Sequence, residues 1–137
     1  MTPDEARSAV YKRFKTQWAD RTVLHREGEA GFSEPPPGTA WVRLSFRNFG
    51  GGQRSLGPVG GRKYRRSASV FVQAFTPAVA GVGAGATLAH EARAILEGVD
   101  VDGVAFDDGI ITELPLGEGE KSYQTNVEVR ATYDETK

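Results

Sequence analysis

Eleven consecutive residues alternate without a break. Tyr123, Thr125, Val127, Val129, Ala131 and Tyr133 fall on one side of an extended chain. Gln124, Asn126, Glu128, Arg130 and Thr132 fall on the other. Such a run is a half-buried strand, and a strand needs neighbours to satisfy its backbone. Trp41 to Asn48 alternates in the same way, with Val42, Leu44 and Phe46 opposite Trp41, Arg43, Ser45 and Arg47. Tyr64 to Thr76 is apolar on both faces at its centre, with Val70 and Val72 on one and Phe71 and Phe75 on the other. That pattern predicts a central strand, covered on both sides by a helix, a loop or a neighbouring subunit. Val23 to Arg26 reads as a short strand. Val99 to Phe106 and Ile110 to Leu114 read as two more, with Asp102-Gly103 and Asp108-Gly109 as turn signals.

Two segments break the period of two. At the start, Thr2, Pro3 and Glu5 stand at the spacing of a capping box with proline at the first helical position. Ala6, Val10, Phe14 and Trp18 then recur every four residues, which predicts a helix from about Pro3 to Trp18. From about Gly83, the residues Leu88, Ala89, Ala92, Ile95 and Leu96 form a narrow apolar stripe that Gly98 ends. The order is helix, strands, helix, strands. It predicts one α+β domain over residues 1–137, with two helices packed on a mainly antiparallel sheet. The chain length suits one core and not two.

Composition narrows the chemistry. The hydrophobic fraction of 39% and charged fraction of 26% are those of a globular domain, not of a disordered chain or a coiled coil. Seventeen glycines and seven prolines call for long or numerous turns, chief among them a Gly-rich basic loop at about 49–63. There is no cysteine, so disulfides, thiolate metal sites and cysteine nucleophiles are excluded, and a reducing compartment fits. Acids precede any apolar run, which speaks against a secretory signal. Residues Ser67 to Ala89 carry no charge, but their glycines, Pro77 and polar residues make a poor membrane span.

Each catalytic motif fails, on a residue or on its context. Gly81-Val82-Gly83-Ala84-Gly85-Ala86 matches a dinucleotide fingerprint, yet that fold needs several parallel βα units and this chain offers one crossover at most. His90-Glu91-Ala92-Arg93-Ala94 has alanine where a zinc motif needs its second histidine. His25, the other histidine, has no nucleophile or acid context. Asp100, Asp102, Asp107 and Asp108 do not make a calcium loop, because Val104 and Ala105 stand where a ligand and a glycine belong. The glycines of 50–61 lack the Lys-Ser/Thr of a P-loop. No catalytic residue, cofactor or metal is expected.

Charge placement is the feature left over. From Arg47 to Arg66 there are six bases, Arg47, Arg54, Arg62, Lys63, Arg65 and Arg66, and no acid. From Glu97 to Glu120 there are eight acids, Glu97, Asp100, Asp102, Asp107, Asp108, Glu113, Glu118 and Glu120, and no base. The net charge is only −1. Opposite charge on separate segments suits a head-to-tail ring of identical copies. It also suits nucleic-acid contact through the basic loop, with Tyr64 stacking, or two plainly solvated faces.

Several segments together resemble one family. They are Met1-Thr2-Pro3-Asp4-Glu5-Ala6-Arg7 with its helix to Trp18, Ala40-Trp41-Val42-Arg43-Leu44-Ser45, Gly50-Gly51-Gly52-Gln53 with Leu56-Gly57, and Arg62-Lys63-Tyr64-Arg65-Arg66. Val70-Phe71-Val72-Gln73-Ala74-Phe75-Thr76-Pro77, Ile95-Leu96-Glu97-Gly98 and Tyr123-Gln124-Thr125-Asn126-Val127-Glu128-Val129 follow in order. The chain is similar to the tail terminator (tail completion) proteins of long-tailed, non-contractile bacteriophages and prophages. The resemblance implies a non-enzymatic virion protein assembled in the host cytoplasm. Its subunit closes a sixfold ring on the head-proximal end of the tail tube, stops tube growth and meets the neck proteins, while DNA passes through the centre. On that reading the isolated chain is monomeric or weakly associated. Arg47, Arg54, Arg62, Lys63, Arg65 and Arg66 then meet a neighbouring subunit or the tube protein, and Asp107, Asp108, Glu118 and Glu120 are candidates to face the DNA channel. A head–tail connector is the alternative within the same neck. A nucleic-acid-binding module is the alternative outside it.

Overall fold

The computed structural model describes residues 1–19, 22–26, 38–53, 55–116 and 122–137. Arg54, Glu118, Glu120 and the side chain of His25 lie outside the described residues.

Helix α1 (Pro3–Trp18) starts where the capping signal places it. The Glu5 amide donates to the Thr2 hydroxyl at 3.2 Å, satisfying one of the helix's orphan donors. Ala6, Val10, Phe14 and Trp18 are fully buried along one face. Strand β1 (Val23–Arg26) lies parallel to β2 (Trp41–Gln53), and every other strand pair is antiparallel. Strand β3 (Lys63–Pro77) leads through a short 3-10 turn at Ala78–Ala80 into helix α2 (Val82–Leu96). Strands β4 (Asp100–Val101), β5 (Val104–Glu113) and β6 (Ser122–Thr136) follow. The sheet order is β1-β2-β3-β6-β5-β4, so β3 and β6 are its two central strands.

Two expectations change. The loop expected at about 49–63 is shorter at its start, because β2 runs on to Gln53 past a bulge between Asn48 and Gly50, and β3 begins at Lys63, which leaves the loop to the residues between them. Phe49 is the extra residue of that bulge, and Gly51, at φ 142°, lies so close to β3 that a Cβ would stand 2.2 Å from the Arg65 carbonyl oxygen. The Asp108-Gly109 turn is also a bulge, since β5 continues through Asp107 and Asp108 with a register shift between Phe106 and Gly109. The Asp102-Gly103 turn forms as expected, with φ 48° and 90°, the signs that a tight primed hairpin turn requires.

Both helices cover one face of the sheet. Val42, Leu44 and Phe46 of β2, Ala68, Val70, Val72 and Ala74 of β3, and Val127, Val129 and Ala131 of β6 form the core with them. Of the glycines in 81–85, Gly85 is the one required by packing. A Cβ at Gly85 would sit 2.7 Å from the Thr125 hydroxyl and 3.2 Å from that of Thr76, so glycine lets α2 press onto β3 and β6. The motif that resembles a dinucleotide fingerprint thus opens a helix that packs, through Gly85, on the antiparallel strands β3 and β6.

Candidate interaction surface

The other sheet face carries no helix among the described residues. Trp41 stacks on Phe75 with ring centroids 4.4 Å apart, and the Arg43 guanidinium lies over the Phe75 ring at 5.6 Å. Arg43 Nε also donates to Gln73 Oε1 at 2.7 Å. Phe71 and Phe75 are only half-buried, and among the described residues no second layer covers the far side of β3. Further along this face, Phe49 is exposed beneath the Arg130 guanidinium, 5.5 Å from the ring centroid. Arg47, Phe71, Ser69 and Glu128 line a shallow groove beside them.

Beyond the bulge, β2, β3 and β6 form a three-stranded arm. The paired residues run from Gly50, Ser67 and Thr132 to Gln53, Lys63 and Thr136. The backbones of Arg62 and Lys137 exchange two further hydrogen bonds at 2.9 and 2.8 Å. The loop at the arm's end is tightly held. Ser55 bonds Lys63 twice, through its amide at 3.3 Å and its hydroxyl at 2.9 Å, and Gly61 N donates to the Pro58 carbonyl at 3.0 Å. Arg62 Nε donates to the Gly57 carbonyl at 2.7 Å. This fixed loop nevertheless holds Leu56 94% and Val59 85% exposed. At the opposite end of β3, Val79 is likewise exposed.

The six expected interface bases have different fates. Arg66 reaches Glu135 of its own chain at 2.8 Å in a largely shielded pair and lies 4.9 Å over the Tyr64 ring. Arg65 reaches Asp134 at 3.4 Å in a half-exposed one. A pair as open to water as that of Arg65 contributes little stability. Arg62 holds the loop. Arg47 is exposed on the open face, and Arg54 lies outside the described residues. Lys63 is exposed and has no side-chain partner among the described residues. The basic window is therefore no uniformly basic surface. Its acids come from β6, which lies far away in sequence and beside β3 in space.

On the helix side of the arm, the Tyr133 hydroxyl donates to Asn48 Oδ1 at 2.6 Å, next to Arg66 and Glu135. Burial, and then the Glu135 carboxylate, push the phenol above its ordinary value of 10.0. From pH 10 upward the unfolded chain loses this proton first, so the folded chain binds more protons and stability falls as pH rises, until the folded phenol ionises too. A titration of the Tyr133 ring by NMR is expected to give a midpoint above 10, and Tyr133→Phe is expected to flatten the loss of stability above pH 10. An ordinary midpoint would refute this.

The acids stand elsewhere. Asp107 and Asp108 are exposed on the β5 bulge, and neither carboxylate has a partner among the described residues. They border an open groove of about 540 Å³, together with Gly98, Phe106, Ile110, Glu128 and Arg130. Ile110 is 60% exposed there. The bulge is held by Glu97, which accepts the Gly109 amide at 2.7 Å, and by Gly98, whose amide donates to the Asp107 carbonyl at 3.3 Å. His90 sits on the outer face of α2, 3.2 Å from Arg93 Nη2. No group of three metal-ligating side chains occurs among the described residues. No helix among them is long and apolar enough to cross a membrane.

Sequence reasoning missed the arm, its apolar tip and the β5 groove. The glycines that let β2 bend and pass close to β3 are the same residues that read as loop. No protein-family model and no curated protein matches the chain. Solved structures do match. One of them, which carries no functional name, aligns over 97% of this chain and 96% of its own, with 17% identity and a TM-score of 0.62. At that identity the likeness concerns architecture, and the chain shares its α+β fold with that protein from end to end.

Proposed function

We propose that this chain is a structural virion protein, the tail terminator of a long-tailed phage or prophage. Copies form a sixfold ring on the head-proximal end of the tail tube, end its growth and offer the surface to which the neck joins. DNA passes through the ring without specific binding. The observation that carries the reading is the arm with its fixed, exposed apolar tip. A loop that is held by its own hydrogen bonds and yet keeps Leu56 and Val59 in water is prepaid for docking. The sheet face that carries no helix among the described residues is a second, different surface on the same subunit. Unlike surfaces on one chain make heterologous contacts, which close into rings when the rotation allows. The family resemblance across nearly the whole sequence supplies the tail context.

The test is deletion of the coding sequence from the phage or prophage, followed by electron microscopy of the lysate. Tails of abnormal length are the expected result. Tails of normal length that stay unattached would favour the head–tail connector, and normal infectious particles would overturn both.

A further inference from the structure

We infer that the arm tip of one copy docks in the β5 groove of the next, as a head-to-tail contact between identical chains. The inference deepens the ring reading and rests on it only for the number of copies. The tip supplies Leu56, Pro58 and Val59 from a loop fixed at Ser55, Gly57 and Gly61. Isolated exposed aliphatic residues are ordinary, but two nearly fully exposed ones on a rigid, hydrogen-bonded tip are not what solubility selects. The groove's apolar floor is mainly Ile110, 60% exposed, with the edge of the core residue Phe106 beside it. At about 540 Å³ it has room for two aliphatic side chains.

Charge sets the direction of the contact. At the base of the tip, Lys63 has no side-chain partner among the described residues, and Arg62 uses its Nε on a carbonyl. At the rim of the groove, Asp107 and Asp108 are the two carboxylates without partners. The groove holds three acids, Asp107, Asp108 and Glu128, against one base, Arg130. A cation beside the apolar tip thus meets a net negative groove, while tip against tip or groove against groove brings together surfaces of like net charge. The occupant that fits on both counts is a second copy of this chain. Asp107 and Asp108 then serve the subunit contact, where the sequence reading has them facing DNA. Tip and groove are small, so the contact is weak for a free pair and gains its strength from ring closure or from a tube that holds the copies together.

The absence of native cysteine permits a clean test. The full chain carrying both Leu56→Cys and Ile110→Cys is concentrated to the millimolar range, oxidised and run without reductant, beside each single variant. A ladder that extends past two copies, in the double variant alone, is the expected result. Either single variant lacks the facing thiol and is expected to stay monomeric. Single variants that dimerise as readily as the double variant joins would overturn the inference, since alternating like pairs then explain a ladder. No product beyond the single-variant controls overturns the inference, and so does a double variant that stops at a dimer, because reciprocal exchange is then the contact. A second arm uses charge. In the cysteine double variant, Lys63→Glu is expected to lower ladder yield about tenfold, and adding Asp108→Lys to restore it. Failure of restoration overturns the charge pairing. These results separate the two readings. Rings and abnormal tails without cross-linking would leave the terminator standing and remove this contact. A ladder from a chain whose deletion leaves tails normal would do the reverse.

Discussion

Gly51→Ala is expected to peel the end of β2 from the arm while the rest of the domain stays folded. The added Cβ would lie 2.2 Å from the Arg65 carbonyl oxygen and 2.9 Å from Arg66 Cα, and both are backbone atoms that no rotamer change can move. A φ of 142° adds strain that only glycine escapes. Strain of this kind costs about 1–3 kcal/mol before the overlap is counted. The cheapest relief is local, because β3 keeps its other partner. Lys63 to Ser67 stay paired with Thr132 to Thr136, and the Arg65–Asp134 and Arg66–Glu135 bridges remain. Amide hydrogen exchange should therefore speed up by about a hundredfold over Gly51 to Gln53, as roughly 3 kcal/mol implies. Val70, Val72, Val127 and Val129 should keep their protection. Uniform loss of protection, or none, would refute this account. Since the tip hangs from the same hairpin, the variant should also lose the tip-to-groove cross-link.

The largest loss of global stability is expected from Trp18→Ala. Trp18 is fully buried, stacks on Phe14 with centroids 5.2 Å apart, and donates its indole N–H to the Thr22 carbonyl at 3.2 Å. It is the last residue of α1, so it fastens the helix end to the segment that enters β1. Truncation of a buried tryptophan costs about 3–5 kcal/mol. A domain of this kind is stable by only about 5–15 kcal/mol, so a melt followed by circular dichroism should show a large fall in midpoint or no folded baseline. Trp18→Phe keeps a ring against Phe14 and should lose much less. A shift for Trp18→Ala no larger than that of Trp18→Phe would mean that the stack and the buried volume do not anchor the helix.

The contrast between α1 and the arm shows where the sequence is transparent. Helix α1 announces itself locally: Thr2, Pro3 and Glu5 fix its start, and four apolar residues at a spacing of four fix its face. The arm depends on partners distant in the chain. Gly50-Gly51-Gly52 have the composition of a loop, and only the register with Arg66, Arg65 and their neighbours makes them strand. The β5 bulge misled for a related reason, since Asp108-Gly109 is a good turn sequence and becomes strand because β6 is there to pair with. The two charge windows were real as counts. Their meaning changed because Asp134 and Glu135 lie outside both windows and face Arg65 and Arg66 across a strand pair.

The place of β6 between β3 and β5 also governs how the chain is made. Lys63 pairs with Thr136, and Phe106 with Ala131, so both halves of the sheet wait for one late segment. Pairings that distant fold slowly, because the long loops between them must close before the contacts repay the cost. While residues 122–136 are still within the ribosome, β3 has β2 on one side, lacks β6 on the other, and carries no charge from Ser67 to Pro77. A nascent chain stalled before residue 122 thus presents an open strand edge to every other such chain, and its fate is aggregation or a chaperone, not a smaller folded protein.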